Sequence, residues 1–117
     1  MNATFTLPLR VVSEANAHEH WRVRQKRAKA QRALVALVWA AQVLPRNRKP
    51  ETVILTRRAP RTLDSDNLAV SFKHVRDEVA ALCGFDDADE SVSWLYAQEK
   101  APTYGVRVEV VWPGVTP

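Results

Sequence analysis

The residues with the clearest chemical potential are acidic side chains in the second half of the chain. Asp64 and Asp66 form an Asp-x-Asp pair, and Asp86 and Asp87 follow on a later acidic stretch. Carboxylate oxygens are the ligands that Mg²⁺ prefers in proteins. If the fold returns the later pair to the earlier one, the sequence predicts a magnesium site formed by Asp64, Asp66, Asp86 and Asp87.

The Asp-x-Asp pair also has a purely structural interpretation. An Asp near the start of a helix accepts hydrogen bonds from free N–H groups and interacts well with the helix dipole. The acidic stretch after it has an equally simple interpretation as a solvated loop. Both interpretations stay open on the sequence of this region alone.

The distribution of charge favours the chemical interpretation. Residues 1–61 hold thirteen Lys and Arg against three Asp and Glu, whereas residues 62–117 hold four against ten. Hydrolysis of a phosphodiester needs cations that hold the backbone and carboxylates that hold a metal-activated water. The two halves of the chain together contain both requirements.

The candidate phosphate-binding residues lie in a basic run and in a basic segment before Asp64. They are Arg22, Arg24, Lys26, Arg27, Lys29, Arg57, Arg58 and Arg61. Two other interpretations remain for them, a solvated helix face and a surface for an acidic protein partner.

The elements that must position these residues follow from hydropathy and turn signals. Strands are expected at 3–7, 52–56, 92–98 and 106–112, and helices at 16–44 and 66–83. The order β-α-β-α-β-β predicts an α/β (α+β) domain with a small mixed sheet and two main helices. The turn residues between the last two strands predict a hairpin, and Gly84 is expected to end the second helix.

The second helix has two distinct stripes. Its apolar stripe consists of Leu68, Phe72, Val75, Val79 and Leu82. At 100° per residue, a second stripe with Asp66, Val70, Lys73 and Asp77 lies almost opposite. Acidic and basic groups are therefore expected on a face that does not face the core.

Length and composition set the remaining bounds. A chain of 117 residues with 46% hydrophobic residues is expected to form a single domain over residues 1–117. The longest apolar run, residues 33–41, is too short for a membrane span, and no signal segment is expected. One cysteine, Cys83, fits a reducing cytoplasm and is expected to be buried packing.

The segment from Asp64 to Asp87 resembles the RusA family of Holliday junction resolvases. The similarity rests on Asp64-Ser65-Asp66-Asn67-Leu68, a helix, Gly84-Phe85, Asp86-Asp87 and a strand near Val92. It is clearest over residues 57–100, and weaker before them.

The resemblance implies a homodimeric, Mg²⁺-dependent endodeoxyribonuclease that nicks four-way DNA junctions symmetrically in DNA recombination and repair, in a bacterial or prophage setting. Asp64, Asp66 and Asp87 match the family's carboxylates, with Asp86 as the alternative third. The type member has a catalytic lysine where this chain has Val70. Lys73, on the same stripe, is the expected substitute. A DNA-binding protein that keeps the fold without the chemistry is the alternative.

Overall fold

The computed structural model of the protein describes residues 1–13 and 20–114. Seven elements follow one another: β1 (Asn2–Leu7), α1 (Trp21–Ala41), β2 (Thr52–Ala59), α2 (Ser65–Ser71), α3 (Lys73–Cys83), β3 (Ser93–Lys100) and β4 (Gly105–Val111). The strands form one sheet in the order β1-β4-β2-β3. The predicted α+β class with a small mixed sheet is confirmed.

The strand directions require two long crossovers. β4 is antiparallel to both β1 and β2, so β1 and β2 run in the same direction, and β2 is parallel to β3. Parallel strands need a connection that returns along the sheet. Helix α1 makes that return between β1 and β2, and the pair α2–α3 makes it between β2 and β3.

The predicted hairpin between the last two strands is wrong. β2 lies between β3 and β4, and the chain crosses the end of β2, where the Ala101 amide donates to the Ala59 carbonyl at 2.9 Å. The side chains of Val106, Val108 and Val110 are fully buried. Strand β4 therefore takes an inner position, and β3 is left as an edge strand. Turn residues predict a reversal of the chain but not which strand becomes the neighbour.

One face of the sheet and the helices enclose the core. Alternate residues of β1 are buried, and Trp39 of α1 contacts the rings of Phe5 and Trp112 edge-on at 6.1 and 5.9 Å. The predicted apolar stripe of the second helical segment is buried throughout. Cys83 is buried as expected, and burial raises the pKa of its thiol to about 12.

Helix α1 is only partly packed on the domain. It begins after His20, whose Nδ1 accepts from the Arg22 amide at 3.2 Å, while the predicted start at Asn16 lies outside the described residues. The first buried residue is Gln31. The helix ends at Ala41, earlier than Leu44, because Val43 adopts a left-handed φ of 54°. Among the described residues no helix is both long and apolar enough to cross a membrane.

The predicted second helix is two helices that meet at Phe72. The Phe72 amide donates to the Ala69 carbonyl at 3.3 Å, and the Ser71 hydroxyl donates to the Leu68 carbonyl at 2.6 Å. The Phe72 ring is fully buried and stacks on Tyr96 of β3 at 5.8 Å. This packing interrupts the helix, so Lys73 becomes the first residue of α3.

Gly84 ends α3 in a left-handed conformation with a φ of 72°, as predicted. Asn47 packs against it, and the Asn47 amide donates to the Leu82 carbonyl at 2.9 Å. A Cβ atom on Gly84 would lie 2.8 Å from Asn47 Oδ1 and 3.0 Å from its Cα. Both the backbone conformation and the space therefore require glycine at this position.

We expect Gly84→Ala to destabilise the protein, by about 1–2 kcal/mol from the left-handed backbone alone and more from the contact with Asn47. Urea unfolding measures the free energy. Gly114→Ala is the matched control, because no atom lies within 4 Å of the added Cβ. Equal stability of the two variants would contradict this account.

Candidate active site

A cleft of about 300 Å³ lies where α2, α3, β3 and the loop after α3 meet. Its lining residues are Ala69, Val70, Lys73, Arg76, Asp77, Asp87 and Tyr96. Two predicted site residues, Lys73 and Asp87, therefore face the same space although a whole helix separates them in sequence. A neighbouring depression of about 210 Å³ shares Asp77 and Asp87 and adds Asp86.

Lys73 lies at the start of α3, on the exposed side of the cleft. Its Nζ is 3.4 Å from the Oδ2 of Asp77, one helical turn later, and the Lys73 side chain remains 61% exposed. Val70, which stands where the resemblance to the RusA family predicts a lysine, lines the same cleft. The ammonium of Lys73 is thus accessible on the same cleft that a lysine at position 70 would line.

Arg76 fixes the main chain at Asp87. Its Nη2 donates to the Asp87 carbonyl oxygen at 2.7 Å, its Nη1 donates to the Tyr96 hydroxyl, and its guanidinium lies 4.5 Å from the centre of the Trp94 ring. The Asp87 carboxylate stays 49% exposed, with Oδ2 4.0 Å from Arg76 Nε. The loop is therefore tied to α3 and β3 while its carboxylate remains accessible.

Asp64 has the structural role that the sequence left open. Its Oδ1 accepts from the Asn67 amide at 2.9 Å and its Oδ2 accepts from Asn67 Nδ2 at 3.0 Å, so it caps α2. Asp66 lies in the first turn of α2 and is exposed. Asp66 precedes the cleft residue Val70 by four residues, slightly more than one helical turn and about 6 Å along the helix axis. Neither aspartate lines the cleft itself.

The expected convergence of three carboxylates on one metal is not seen. In residues 1–13 and 20–114, no group of three or more His, Cys, Asp or Glu side chains could hold a metal ion. The cleft itself carries two carboxylates, Asp77 and Asp87. Mg²⁺ commonly uses one or two protein carboxylates together with waters and substrate phosphates, so this donor set fits the ion.

The predicted phosphate-binding residues occupy three separate places, namely the first half of α1, the loop after β2, and strand β2 itself. Arg22, Arg24, Lys26 and Lys29 are exposed on the first half of α1, and Arg27 there is half-buried. Arg61 is exposed in the loop after β2. The basic run of α1 is thus presented to solvent, as a surface for a polyanion requires.

Two of the predicted basic residues lie in a strand, because β2 continues beyond its predicted end at residue 56. Arg57 and Arg58 belong to β2, which runs to Ala59. Arg57 is buried, so it is not part of an open surface for duplex DNA. Arg58 lies on the other face of the sheet, 2.8 Å from Glu99, and so faces away from the helices and the cleft. Strand alternation puts neighbouring residues on opposite faces.

Sequence reasoning missed three residues of the cleft. Asp77 was placed on the polar stripe but given no role, whereas Arg76 and Tyr96 were not singled out. For Asp77 the shared stripe with Lys73 was a usable signal. The contact between Arg76 and Tyr96 joins α3 to β3, and no local pattern predicts it.

Comparison with protein-family models finds none that matches this chain, and comparison with curated proteins finds none either. The similarity to the RusA family therefore rests on the residues from Asp64 to Asp87 alone and remains a prediction.

A second set of hydrogen bonds orders the loop that carries Asp87. Asp89 Oδ1 accepts from the Ser91 amide at 2.9 Å and from the Ser91 hydroxyl at 2.7 Å, and its Oδ2 accepts from Lys49 Nζ at 3.1 Å. The hydrogen bonds from Ser91, followed by those from Lys49, lower the pKa of Asp89 to about 2. The charged form of Asp89 is thus the one that the fold favours.

Because this pKa is lowered on folding, the stabilisation is complete above the ordinary value of 3.8 and is lost as the pH falls toward 2. We expect Asp89→Asn to be less stable than the natural chain at about pH 5, with a difference that shrinks as the pH approaches 2. Urea unfolding across this range measures it, with Glu90→Gln as the control. A difference that does not change with pH would contradict the assignment.

Proposed function

We propose that this protein is a Mg²⁺-dependent, structure-selective endodeoxyribonuclease that nicks four-way DNA junctions in recombination and repair. The observation that carries the proposal is the meeting of Lys73 and Asp87 on one cleft, beside the helix that begins with Asp64 and Asp66. The basic first half of α1 supports it with a separate surface for phosphates. We place this activity in the cytoplasm, where Cys83 would remain reduced.

The residues of the cleft divide into distinct roles. Asp87 and Asp77 would hold Mg²⁺, with Asp66 one helical turn away as the next carboxylate and Asp86 in the adjoining depression. The bound ion would supply Lewis-acid activation of water at a phosphodiester. Lys73 would neutralise developing charge on the scissile phosphate, and its release from Asp77 would accompany DNA binding. Arg76 would keep Asp87 in place.

The ion pairs in the cleft would make binding of a metal ion depend on binding of DNA. Lys73 is close to Asp77 and Arg76 is close to Asp87, so each carboxylate already has a cationic neighbour. A phosphate entering the cleft would compete with Asp77 for Lys73 and so expose the Asp77 carboxylate to a metal ion. Mg²⁺ and the substrate would therefore be expected to bind cooperatively.

The same observation favours a second candidate, a DNA-binding protein that keeps the fold without the chemistry. A cleft with paired charges and Val70 in place of the family's lysine could bind a phosphate and leave it intact. A labelled synthetic four-way junction incubated with protein and Mg²⁺ or Mn²⁺ separates the two candidates. Paired symmetric nicks support the nuclease, and binding without nicks supports the second candidate.

We expect Asp66→Asn and Asp87→Asn to lower the rate of junction cleavage about 100-fold or more, because Asp87 would hold the ion and Asp66 is the next carboxylate beside it. Junction binding should stay equal or become tighter, since a negative charge near phosphates is removed. Glu90→Gln is the matched control in the same loop and should cut at the natural rate. Near-normal cleavage by both Asn variants would contradict the proposed metal site.

Symmetric nicking also implies a homodimer. The cleft described above occurs once per chain, and two nicks in related strands need two such clefts related by a two-fold axis. Exposed apolar residues on α1, such as Leu37 at 66% exposure, offer surface for such a contact. Sedimentation equilibrium with and without junction DNA determines the oligomeric state, and a monomer in both conditions would contradict paired nicking.

A further inference from the structure

Arg57 is an arginine buried in strand β2 with few partners. The residue is 7% exposed, and its Nη1 donates to the Arg61 carbonyl oxygen at 2.6 Å. Its Nε is buried and has no hydrogen-bond acceptor in the described part of the chain. A guanidinium has five N–H donors, so most of its capacity is unused.

Among the residues that the structure describes, no carboxylate forms an ion pair with this side chain. The ion pairs within residues 1–13 and 20–114 do not include Arg57, and its buried environment lowers its pKa. Tyr104 opposes this shift, and the positive charge of Arg10 adds to it. Buried charges in proteins are normally paired, because an unpaired one is strongly destabilising.

Arg10 and Tyr104 belong to segments at the same end of the sheet as Arg57. The Arg10 guanidinium lies 4.4 Å from the centre of the Tyr104 ring, Arg10 is exposed, and Tyr104 is 39% exposed. Arg10 follows β1 and Tyr104 precedes β4. The pairing of Leu7 with Val106, and of Val106 with Arg57, brings these segments to one end of the sheet.

The next acidic residue along the chain after Arg57 does not neutralise it. Asp64 is the next carboxylate after Arg61, and both of its oxygens accept hydrogen bonds from Asn67. The Leu63 main chain is held by Gln98, whose Oε1 and Nε2 bond its amide and carbonyl at 2.9 and 2.7 Å. The segment from Arg61 to Asp64 is held by these hydrogen bonds, and among the described residues Asp64 forms no ion pair with Arg57.

We propose that Arg10, Arg57 and Tyr104 form a binding site for a phosphate group at this end of the sheet. Two guanidinium groups and a phenolic hydroxyl offer two positive charges and several donors, which matches a phosphate better than a single carboxylate. Arg10 and Tyr104 form the accessible rim, and Arg57 supplies the buried charge. A bound anion gives Arg57 the counter-charge that the described residues do not.

The source of the phosphate is either a DNA backbone or a free phosphate group. The first source rests on the proposed function, and it is consistent with the position of the cluster, since the loop after β2 leads directly from Arg57 to Asp64 and Asp66. A backbone phosphate held there would place the strand beside the start of α2. The anion site itself does not depend on the nuclease proposal.

Inorganic phosphate is the first probe, applied to the full chain at constant ionic strength against chloride. Phosphate stabilises most proteins by exclusion from their surface, so the signal is the difference between variants. At about five times its Kd, bound phosphate should raise the Tm of the natural chain by about 4 °C beyond that general effect. Arg10→Gln should lose this additional rise, and Arg46→Gln, which removes an exposed arginine in another loop, should keep it.

Arg57→Met gives a second and sharper test. It removes a buried charge that has no counter-ion, so its Tm in phosphate-free buffer should equal or exceed that of the natural chain. Its additional response to phosphate should be absent. If Arg57 had only a structural role, the variant would have a lower Tm, because the hydrogen bond to the Arg61 carbonyl is lost. Its additional rise in Tm with phosphate would then be unchanged.

The DNA arm uses a labelled four-way junction and measures affinity by fluorescence anisotropy over a series of salt concentrations. If the occupant is a backbone phosphate, Arg10→Gln should weaken binding several-fold. It should also reduce the magnitude of the slope of log K against log salt by about 0.9. Arg46→Gln should leave the slope closer to that of the natural chain.

The outcomes separate the two proposals. Loss of both the phosphate response and the salt slope in Arg10→Gln supports a site for DNA phosphate. Loss of the phosphate response alone supports a site for a free phosphate group, and it does so even if the natural chain binds no junction, which would sink the nuclease proposal. An equal phosphate response in the natural chain, Arg10→Gln and Arg57→Met would overturn the site.

Discussion

The parallel pairing of β2 with β3 is the constraint on which the rest of the structure depends. Parallel neighbours cannot be joined by a tight turn, so the chain must leave the sheet, cross its face and return. Here the crossing is made by α2 and α3, and the return is the acidic loop before β3. The same crossing buries the apolar stripe of both helices and turns their polar stripe toward that loop. The cleft is a direct consequence of this topology.

Arg76 fixes the positions of α3, β3 and the Asp87 loop relative to one another. It contacts three groups that arrive from different parts of the chain, namely the Tyr96 hydroxyl, the Trp94 ring and the Asp87 carbonyl. Its charge is used in packing and in holding the main chain, which leaves the exposed ammonium of Lys73 as the cation able to meet a substrate. Under the proposed function, positioning is the role of Arg76 and charge neutralisation at the substrate is the role of Lys73, on the same helix.

The sequence predicted well those features that depend on local periodicity. The class, the sites of all four strands, the apolar stripe from Leu68 to Leu82 and the left-handed Gly84 follow from spacing and backbone preference. The order of the strands does not follow from spacing, because β4 could pair with any strand that left its valines buried. The division at Phe72 was also missed, since it comes from stacking on Tyr96 across the crossover. In the cleft, Lys73 and Asp87 were predicted, but Asp77 and Arg76 required the tertiary structure.

The central claim is that the cleft between α3 and the Asp87 loop is the place where a divalent ion meets DNA. Substoichiometric Mn²⁺ added to the ¹⁵N-labelled protein, with and without junction DNA, tests it most directly, because the ion broadens amide signals close to it. The account predicts selective broadening near Asp77 and Asp87, stronger with DNA and lost in Asp87→Asn. Broadening centred instead on Glu99 and Glu109, on the opposite face of the sheet, or spread evenly over acidic residues, would contradict it.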